Sequence, residues 1–459
     1  MTRLWAAQAL TDAGWARDVL VTIGAGGRIA AVEPGAPAAA DHAADHVVDI
    51  LLPAPVNAHS HAFQRAMAGL TERRGLDPRD SFWTWRALMY RFLDRLTPDH
   101  VEAIAAFVQM EMLEAGYATS VEFHYLHHQP GGALYANLAE MAERIAAAAA
   151  RSGIGLTLLP VLYQFGGCDG RALGPGQVRF GNDPERFARL HAASADVLKT
   201  MPSDTRIGVA PHSLRAAAPE AIAGLRALAP EGPVHMHLAE QTAEVEEVRT
   251  ALGRRPVEWV LDRLDPDGRF TFIHCTQMEP HETEGLARSG AIAGLCPVTE
   301  SSLGDGIFDG VRWFEHGGRI AIGSDSNIRV ALAEELRTLE YSQRLRDRSR
   351  AALASPGQST GRRLFEAAAT GGAVAAGRPT GAIGVGKLAD LLALDGGHLD
   401  LEGRNGDTIL DAFVFAGDDR MVREVWSAGR HLVRAGRHIS RDAIAADYRK
   451  VLKELGDAI

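Results

Sequence analysis

Lysine is nearly absent from this chain of 459 residues: only Lys199, Lys387, Lys450 and Lys453 occur, and arginine supplies the rest of the 48 basic side chains. None of the four stands in an apolar strand-like run, so Schiff-base chemistry has no buried amine to use there. Excess positive charge is missing too. The 58 acidic residues outnumber the basic ones for a net charge of −10, which excludes a general nucleic-acid footprint. Any anionic ligand must then be met by individual arginines. The three cysteines, Cys168, Cys275 and Cys296, lie far apart without a CxxC pair, which excludes a disulfide framework and a cysteine zinc site and leads us to expect a reducing cytoplasm. No window of about 18 residues stays apolar, and the start MTRLWAAQALTDAGW lacks the basic and apolar regions of a signal peptide. A soluble, cytoplasmic protein without a membrane partner is expected.

What is present is apolar surface, 46% of residues, enough for a large core. Residues 1–57 read as short strands (VLVTI, RIAAVE, VVDILLPAPV) between turn residues, and 382–435 read alike (KLADLLAL, AFVFAG, MVREVWSAGRHLV). Both ends are thus expected to build one small β-sandwich module, from 1–57 and 376–459, the latter closing with a helix. Between them, in 58–375, short apolar runs alternate with helical patterns: the strand entering NAHSH, SVEFH, GLTLLPVLY, RIGVAPHS, VHMHLAE, FTFIHC, AIAGLCPV and IAIGSDS. Eight βα units of this kind predict an α/β fold, a (β/α)8 TIM-like barrel.

The C-terminal ends of barrel strands form the catalytic face, and the chain puts His59, His61, His124, His212, His237, His274 and Asp325 there. A lone histidine ending a strand is more often a hydrogen-bonded structural residue than a ligand. Burying this many imidazoles without a shared task would repeat a desolvation cost at each one. His59 and His61, two apart in an extended segment, face the same way. Of the pair in VHMHLAE, His237 lies nearer the loop and His235 one layer deeper. Three imidazoles (His59, His61, His237) and the Asp325 carboxylate with an open position suit one divalent ion of the zinc type, which lowers the pKa of bound water to about 7. Iron and manganese accept the same donors.

HxH after the first strand, histidines on the fifth and sixth, and Asp on the eighth resemble the amidohydrolase superfamily, as does the flanking β module. GAIGVGKLADLLALD (381–395) resembles that superfamily's closing segment, and its glycines read as a turn, not as a dinucleotide fingerprint. Binuclear members carry a carboxylated lysine on a middle strand. Its absence here implies a mononuclear site, and mononuclear members are mostly deaminases acting at C=N carbon. Their proton-moving glutamate, three residues after the fifth-strand histidine, matches Glu240. The strings HSHAFQRAMAGL, DSFWTWRALMYR, EFHYLHH, HSLRA, HLAEQ and LGDGIF are similar to the formimidoylglutamate deiminase branch. CPVTESSLGDGIF, IHCTQ and Asn327 in GSDSN depart from some of its members.

That resemblance implies a small dicarboxylate substrate with a cationic formimidoyl group. Arg215 and Arg86 would supply guanidinium donors, with Gln64, Tyr125 and His212 as further substrate contacts. Arg86 reads equally well as a helix-surface charge, and Trp83 and Trp85 read better as core packing. In the implied mechanism His274 is catalytic and not a ligand. Asp325 or His274 takes the water proton, and Glu240 and Asp325 pass protons to the departing nitrogen. The rival readings are a deaminase of a cyclic amidine or aminopurine-like ring, which would call for aromatic and amide contacts, and a non-catalytic barrel, which would lack ligands. A homodimer is the expected assembly.

Overall fold

The computed structural model describes residues 1–37, 44–72 and 82–456, with side chains from 85 onward in the last segment. Asp80 and Ser81 of DSFWTWRALMYR, and the Trp83 side chain, lie outside the described residues. Strands β1 (Thr2–Thr11), β2 (Gly14–Ile23), β3 (Ile29–Glu33) and β4 (His46–Pro53) come first. The barrel follows: β5 (Val56–Ser60), β6 (Thr119–His124), β7 (Gly155–Leu162), β8 (Arg206–Ile207), β9 (Ala210–Pro211), β10 (Val234–Leu238), β11 (Phe270–His274), β12 (Ile292–Leu295) and β13 (Arg319–Ile322). Strands β14 (Leu391–Leu394), β15 (Val422–Ser427), β16 (Arg430–Arg434) and β17 (Arg437–His438) return to the first group.

The two ends of the chain share one hydrogen-bonded ladder in the order β17-β16-β15-β14-β4-β1-β2-β3. It joins where β14 pairs antiparallel with β4. Leu4, Val21, Ile29, Leu51, Leu391 and Trp426 pack in its own apolar cluster. The β15–β16 hairpin turns at Ala428 and Gly429, both at positive φ (44° and 75°), as a tight hairpin of right-handed strands demands. AFVFAG is a correction to the strand expectation: Ala412–Ala416 forms a π-helical turn that continues the short helix Asp407–Asp411. The Val414 carbonyl is taken by Arg337 Nε at 2.7 Å, a bond from outside any ladder.

The second sheet is parallel throughout, in the order β10-β11-β12-β13-β5-β6-β7-β8, with β9 also on β7. A bridge between Val209 and Val234 closes the ring. Every residue of β6, β7, β10, β11 and β12 is buried, which is why these strands are continuous apolar runs and not alternating ones. RIGVAPHS, a single run in the sequence, is split into β8 and β9 around Gly208. A Cβ there would sit 2.4 Å from the Pro233 carbonyl oxygen, so the strands approach at that point without room for a side chain. The four lysines all lie off the barrel strands: Lys199 caps the helix Pro184–Leu198, Lys387 sits in a turn, and Lys450 and Lys453 ride the helix Arg441–Gly456. Among the described residues no helix is long and apolar enough to cross a membrane.

Candidate metal and catalytic site

The end of the eighth strand is bonded onto the first. Ser324 and Asp325 donate their backbone N–H groups to the His59 carbonyl at 3.1 and 2.9 Å, and His61 N–H donates to the Asp325 carbonyl at 2.9 Å. Gly323 makes this possible, because a Cβ on it would lie 2.7 to 2.8 Å from His59 backbone and Cβ atoms. Asp325 (φ 46°) and Asn327 (φ 53°) then take left-handed conformations, which cost non-glycine residues about 1–3 kcal/mol each and persist only where surroundings over-determine them. The surroundings here are a buried amide and hydroxyl network. Asn327 donates to Ser60 Oγ (3.2 Å) and the Asp325 carbonyl (3.0 Å) and accepts from Ser324 Oγ (2.6 Å), which in turn accepts from Asn57 Nδ2 (2.7 Å). The departure noted at Asn327 therefore lies in the scaffold of Asp325. Beneath it, Glu122 Oε1 accepts the Ala62 N–H at 2.8 Å, and burial raises the Glu122 pKa to about 8.

His59, His61, His237 and Asp325 converge so that their donor atoms all lie within 4.8 Å of one another. His59 Nε2 is 3.2 Å from His237 Nε2 and 3.5 Å from Asp325 Oδ1, and His61 Nε2 is 3.3 Å from the same oxygen. The tautomers of two rings follow from their second nitrogens. His61 Nδ1–H donates to the Phe123 carbonyl and His237 Nδ1–H to the His212 carbonyl, each at 3.1 Å, so both Nε2 lone pairs point inward. Burial keeps the rings neutral, lowering the His59 pKa to about 3 and pushing those of His61 and His237 down. Asp325 is driven the other way. Burial opposes its charge, but a hydrogen bond from His59 and the protonated His274 outweigh that and hold the carboxyl well below its usual range. Neutral nitrogen lone pairs facing one another around a carboxylate, in a site where His59 is fully buried, form a donor set that is satisfied by a cation. A divalent metal ion fits these residues.

His274 stands beside that group at φ 73°. Its Nε2 is 3.7 Å from Glu240 Oε1 and 3.8 Å from Asp325 Oδ2, while Nδ1 is 3.3 Å from Glu300 Oε1. Burial disfavours its protonation, but the carboxylates of Glu240, Glu300 and Asp325 prevail and hold its pKa well above the imidazole range. Glu240 follows β10 through Ala239 at φ 52°, and its N–H is tied to Glu244 at 2.9 Å. Burial lifts its pKa to about 7 against the pull of His274 and Arg215, a value suited to proton transfer near neutrality.

One cavity opens over this centre. His61, His237, Glu240, His274 and Asp325 line it together with Gln64, Arg86, Tyr125, His212 and Arg215. Arg215 is buried, with Nη2 3.9 Å from Glu240 Oε2. Arg86, half-buried on the helix Phe82–Leu93, donates to Tyr90 Oη and lies over its ring. Gln64 Nε2 donates to Tyr125 Oη at 2.9 Å. The Tyr125 hydroxyl proton then faces Met89 Sδ at 3.7 Å, a weak acceptor that an oxygen ligand would outcompete. His59 sits behind the wall. His235 bonds the Ala375 carbonyl at 2.8 Å, deeper in the barrel, and His124 packs 5.1 Å from the His127 ring and is not part of the wall. Trp85 packs against the core, as the sequence reading favoured, and also lines the cavity. Met89, Tyr90, Tyr163 and Phe180 are wall residues that sequence reasoning missed. Tyr163 carried a signal, since it ends the third strand run as Tyr125 follows the second. Phe180 lies in a long connection without periodicity and carried none.

The family model described as "Amidohydrolase family" matches residues 50–432, and the model described as "Formimidoylglutamate deiminase HutF, N-terminal domain" matches residues 1–45. The formimidoylglutamate deiminase of Pseudomonas aeruginosa is 46% identical over 459 residues, covering 100% of both chains. A 5-methylthioadenosine/S-adenosylhomocysteine deaminase of Natronomonas pharaonis is 29% identical over 378 residues, 80% of this chain and 78% of that one. Among solved structures, an amidohydrolase from Brucella melitensis superposes with a TM-score of 0.94 at 46% identity, covering 99% of this chain and 100% of that chain.

Proposed function

Because the chain belongs to the amidohydrolase family, in its formimidoylglutamate deiminase branch, we propose that it hydrolyses N-formimidoyl-L-glutamate to N-formyl-L-glutamate and ammonia. One observation carries the reading beyond the family: a single cavity is lined by His61, His237 and Asp325 of the donor set and by Glu240, and also by the guanidiniums of Arg86 and Arg215. A flat neutral ring has no use for two buried or half-buried cations, whereas a dicarboxylate pairs with both. His59, His61, His237 and Asp325 would hold the divalent ion, and three imidazoles with one carboxylate favour zinc. Bound there, such an ion would supply Lewis acidity, lowering the pKa of water to about 7.

The protein's own groups do the rest. Arg215 and Arg86 bind and orient the two carboxylates, with Tyr125, Gln64 and His212 closing around the chain of the substrate. Glu240 takes one proton of the attacking water and Asp325 takes the other as the carbonyl forms, while His274, kept protonated by the carboxylates around it and so not the base that the resemblance allowed, donates from Nε2 to that oxygen. Glu240 then returns a proton to the terminal nitrogen, the C–N bond breaks, and ammonia leaves. Arg215→Met is expected to raise KM roughly 10- to 100-fold, the value of one or two charge-assisted hydrogen bonds, with a smaller fall in kcat. An unchanged KM would remove Arg215 from the carboxylate site.

We place the domain boundaries in the same reading: 1–57 and 376–459 for the β module, supported by the shared ladder, and 58–375 for the barrel. The reading includes a reducing cytoplasm, which three free cysteines support, and a two-fold homodimer, the commonest assembly of soluble enzymes. The test of the function is an ammonia-release panel with formimidoylglutamate, formimidoylaspartate, guanine and 5'-methylthioadenosine. Release from formimidoylglutamate far above the ring substrates is expected, and preference for a ring would transfer the assignment to the aminopurine deaminases.

A further inference from the structure

One buried carboxylate beside the site has no part in that mechanism. Glu300 lies in the first turn of the helix Pro297–Leu303 after β12, 5% exposed, and is not a wall of the cavity. Its Oε1 accepts the Cys296 N–H at 2.8 Å and lies 3.3 Å from His274 Nδ1. Its own N–H bonds the Cys296 carbonyl at 2.8 Å, and its carbonyl accepts the Asp305 N–H at 2.9 Å, so the carboxylate is pinned from both sides of the backbone. The ring it meets is not aimed by its strand. His274 and Cys275 both stand at positive φ, 73° and 53°, which takes the side chain out of the alternation that β11 imposes.

Resting on the reaction above, we infer that Glu300 is the positioning residue of His274: by accepting from Nδ1 it fixes the ring so that Nε2 faces the reacting centre between Glu240 and Asp325. A carboxylate on the far nitrogen sets both tautomer and orientation of a working imidazole. His274, Cys296 and Glu300 could also be read as ligands of a second ion, their donor atoms lying within 4.8 Å. The positioning role accounts for more. Glu300 Oε1 is already met by two N–H groups, those of the Cys296 backbone and of His274 Nδ1.

Two variants separate an aiming role from a merely structural one. Glu300→Gln keeps an oxygen that can accept from both N–H groups, and Glu300→Leu keeps volume without an acceptor. In folded, metal-loaded enzyme, Glu300→Leu is expected to lower kcat by ~100-fold or more with KM within about 3-fold of the parent. Glu300→Gln should stay within ~10-fold of the parent kcat, and all three proteins should bind one equivalent of metal. Crystal structures of the loaded variants add a readout independent of turnover: the His274 ring is held in Glu300→Gln and turned away from Asp325 in Glu300→Leu. Equal kcat in both variants, a loss confined to KM, a second metal equivalent in the parent, or an unmoved ring in Glu300→Leu would overturn the inference. If the parent enzyme released no ammonia from formimidoylglutamate, the functional reading would fail, and the ring orientation would still decide the role of Glu300.

Discussion

Asp325→Asn is expected to lower ammonia release from formimidoylglutamate by ~10³-fold or more, with the barrel still folded. The substitution is nearly isosteric, and the network that holds this residue is bonded mainly through its backbone: Asp325 N–H to the His59 carbonyl and Asp325 carbonyl to the His61 N–H. What changes is charge. Oδ1 sits 3.5 and 3.3 Å from the Nε2 atoms of His59 and His61, so the variant removes the one anion from the donor set. An amide N–H pointed inward would donate to the Nε2 lone pairs that the Phe123 and His212 carbonyls hold in place, taking up donors a cation needs. Oδ2, 3.8 Å from His274 Nε2, is also lost as a proton acceptor. Metal content measured beside turnover separates the two losses, and substantial residual turnover in the metal-loaded variant would end the assignment.

Glu240→Gln is expected to reduce kcat by ~10²- to 10⁴-fold while KM changes little. The carboxyl is placed to touch both ends of the reaction. Oε1 lies 3.7 Å from His274 Nε2 and Oε2 lies 3.9 Å from Arg215 Nη2, and its pKa of about 7 lets it both take and return a proton at neutral pH. Glutamine keeps the size and the polar contacts but carries no transferable proton. A KM rise with kcat intact would instead show that Glu240 only shapes the Arg215 pocket.

The parts of the fold that were legible in the sequence are those whose signal is local. A fully buried parallel strand has to be an apolar run, and the polar residues at its end must then face the barrel mouth, so His59, His61, His237, His274 and Asp325 could be grouped from the sequence alone. The lysine shortage was readable for the same reason, since none of the four stands on such a run. Harder features depend on contacts between distant segments. Gly208 splits the fourth strand because Pro233 comes too close, and AFVFA is drawn into a π-helical turn despite its strand-like composition.

The cavity walls divide along that line as well. Tyr125 and Arg215 follow strand ends and could be named, while Trp85 and Phe180 come from the helix after the HxH segment and from a long connection. Nothing in their spacing says which way they face. Glu300 was visible only as part of the string CPVTESSLGDGIF that departs from some relatives, because its bond to His274 is made across 26 positions of the chain. The left-handed residues Ala239, His274 and Asp325 explain why strand periodicity is a poor guide to aim at this site: each breaks the alternation at the point where chemistry is placed.

The central claim is that the bond cut is the one to the terminal nitrogen of the formimidoyl group. The most direct measurement is product analysis of a complete turnover of formimidoylglutamate by metal-loaded enzyme. One ammonia and one N-formyl-L-glutamate are expected for each substrate consumed. Glutamate with formamide would mean that the bond to the glutamate nitrogen is cut, and would contradict it.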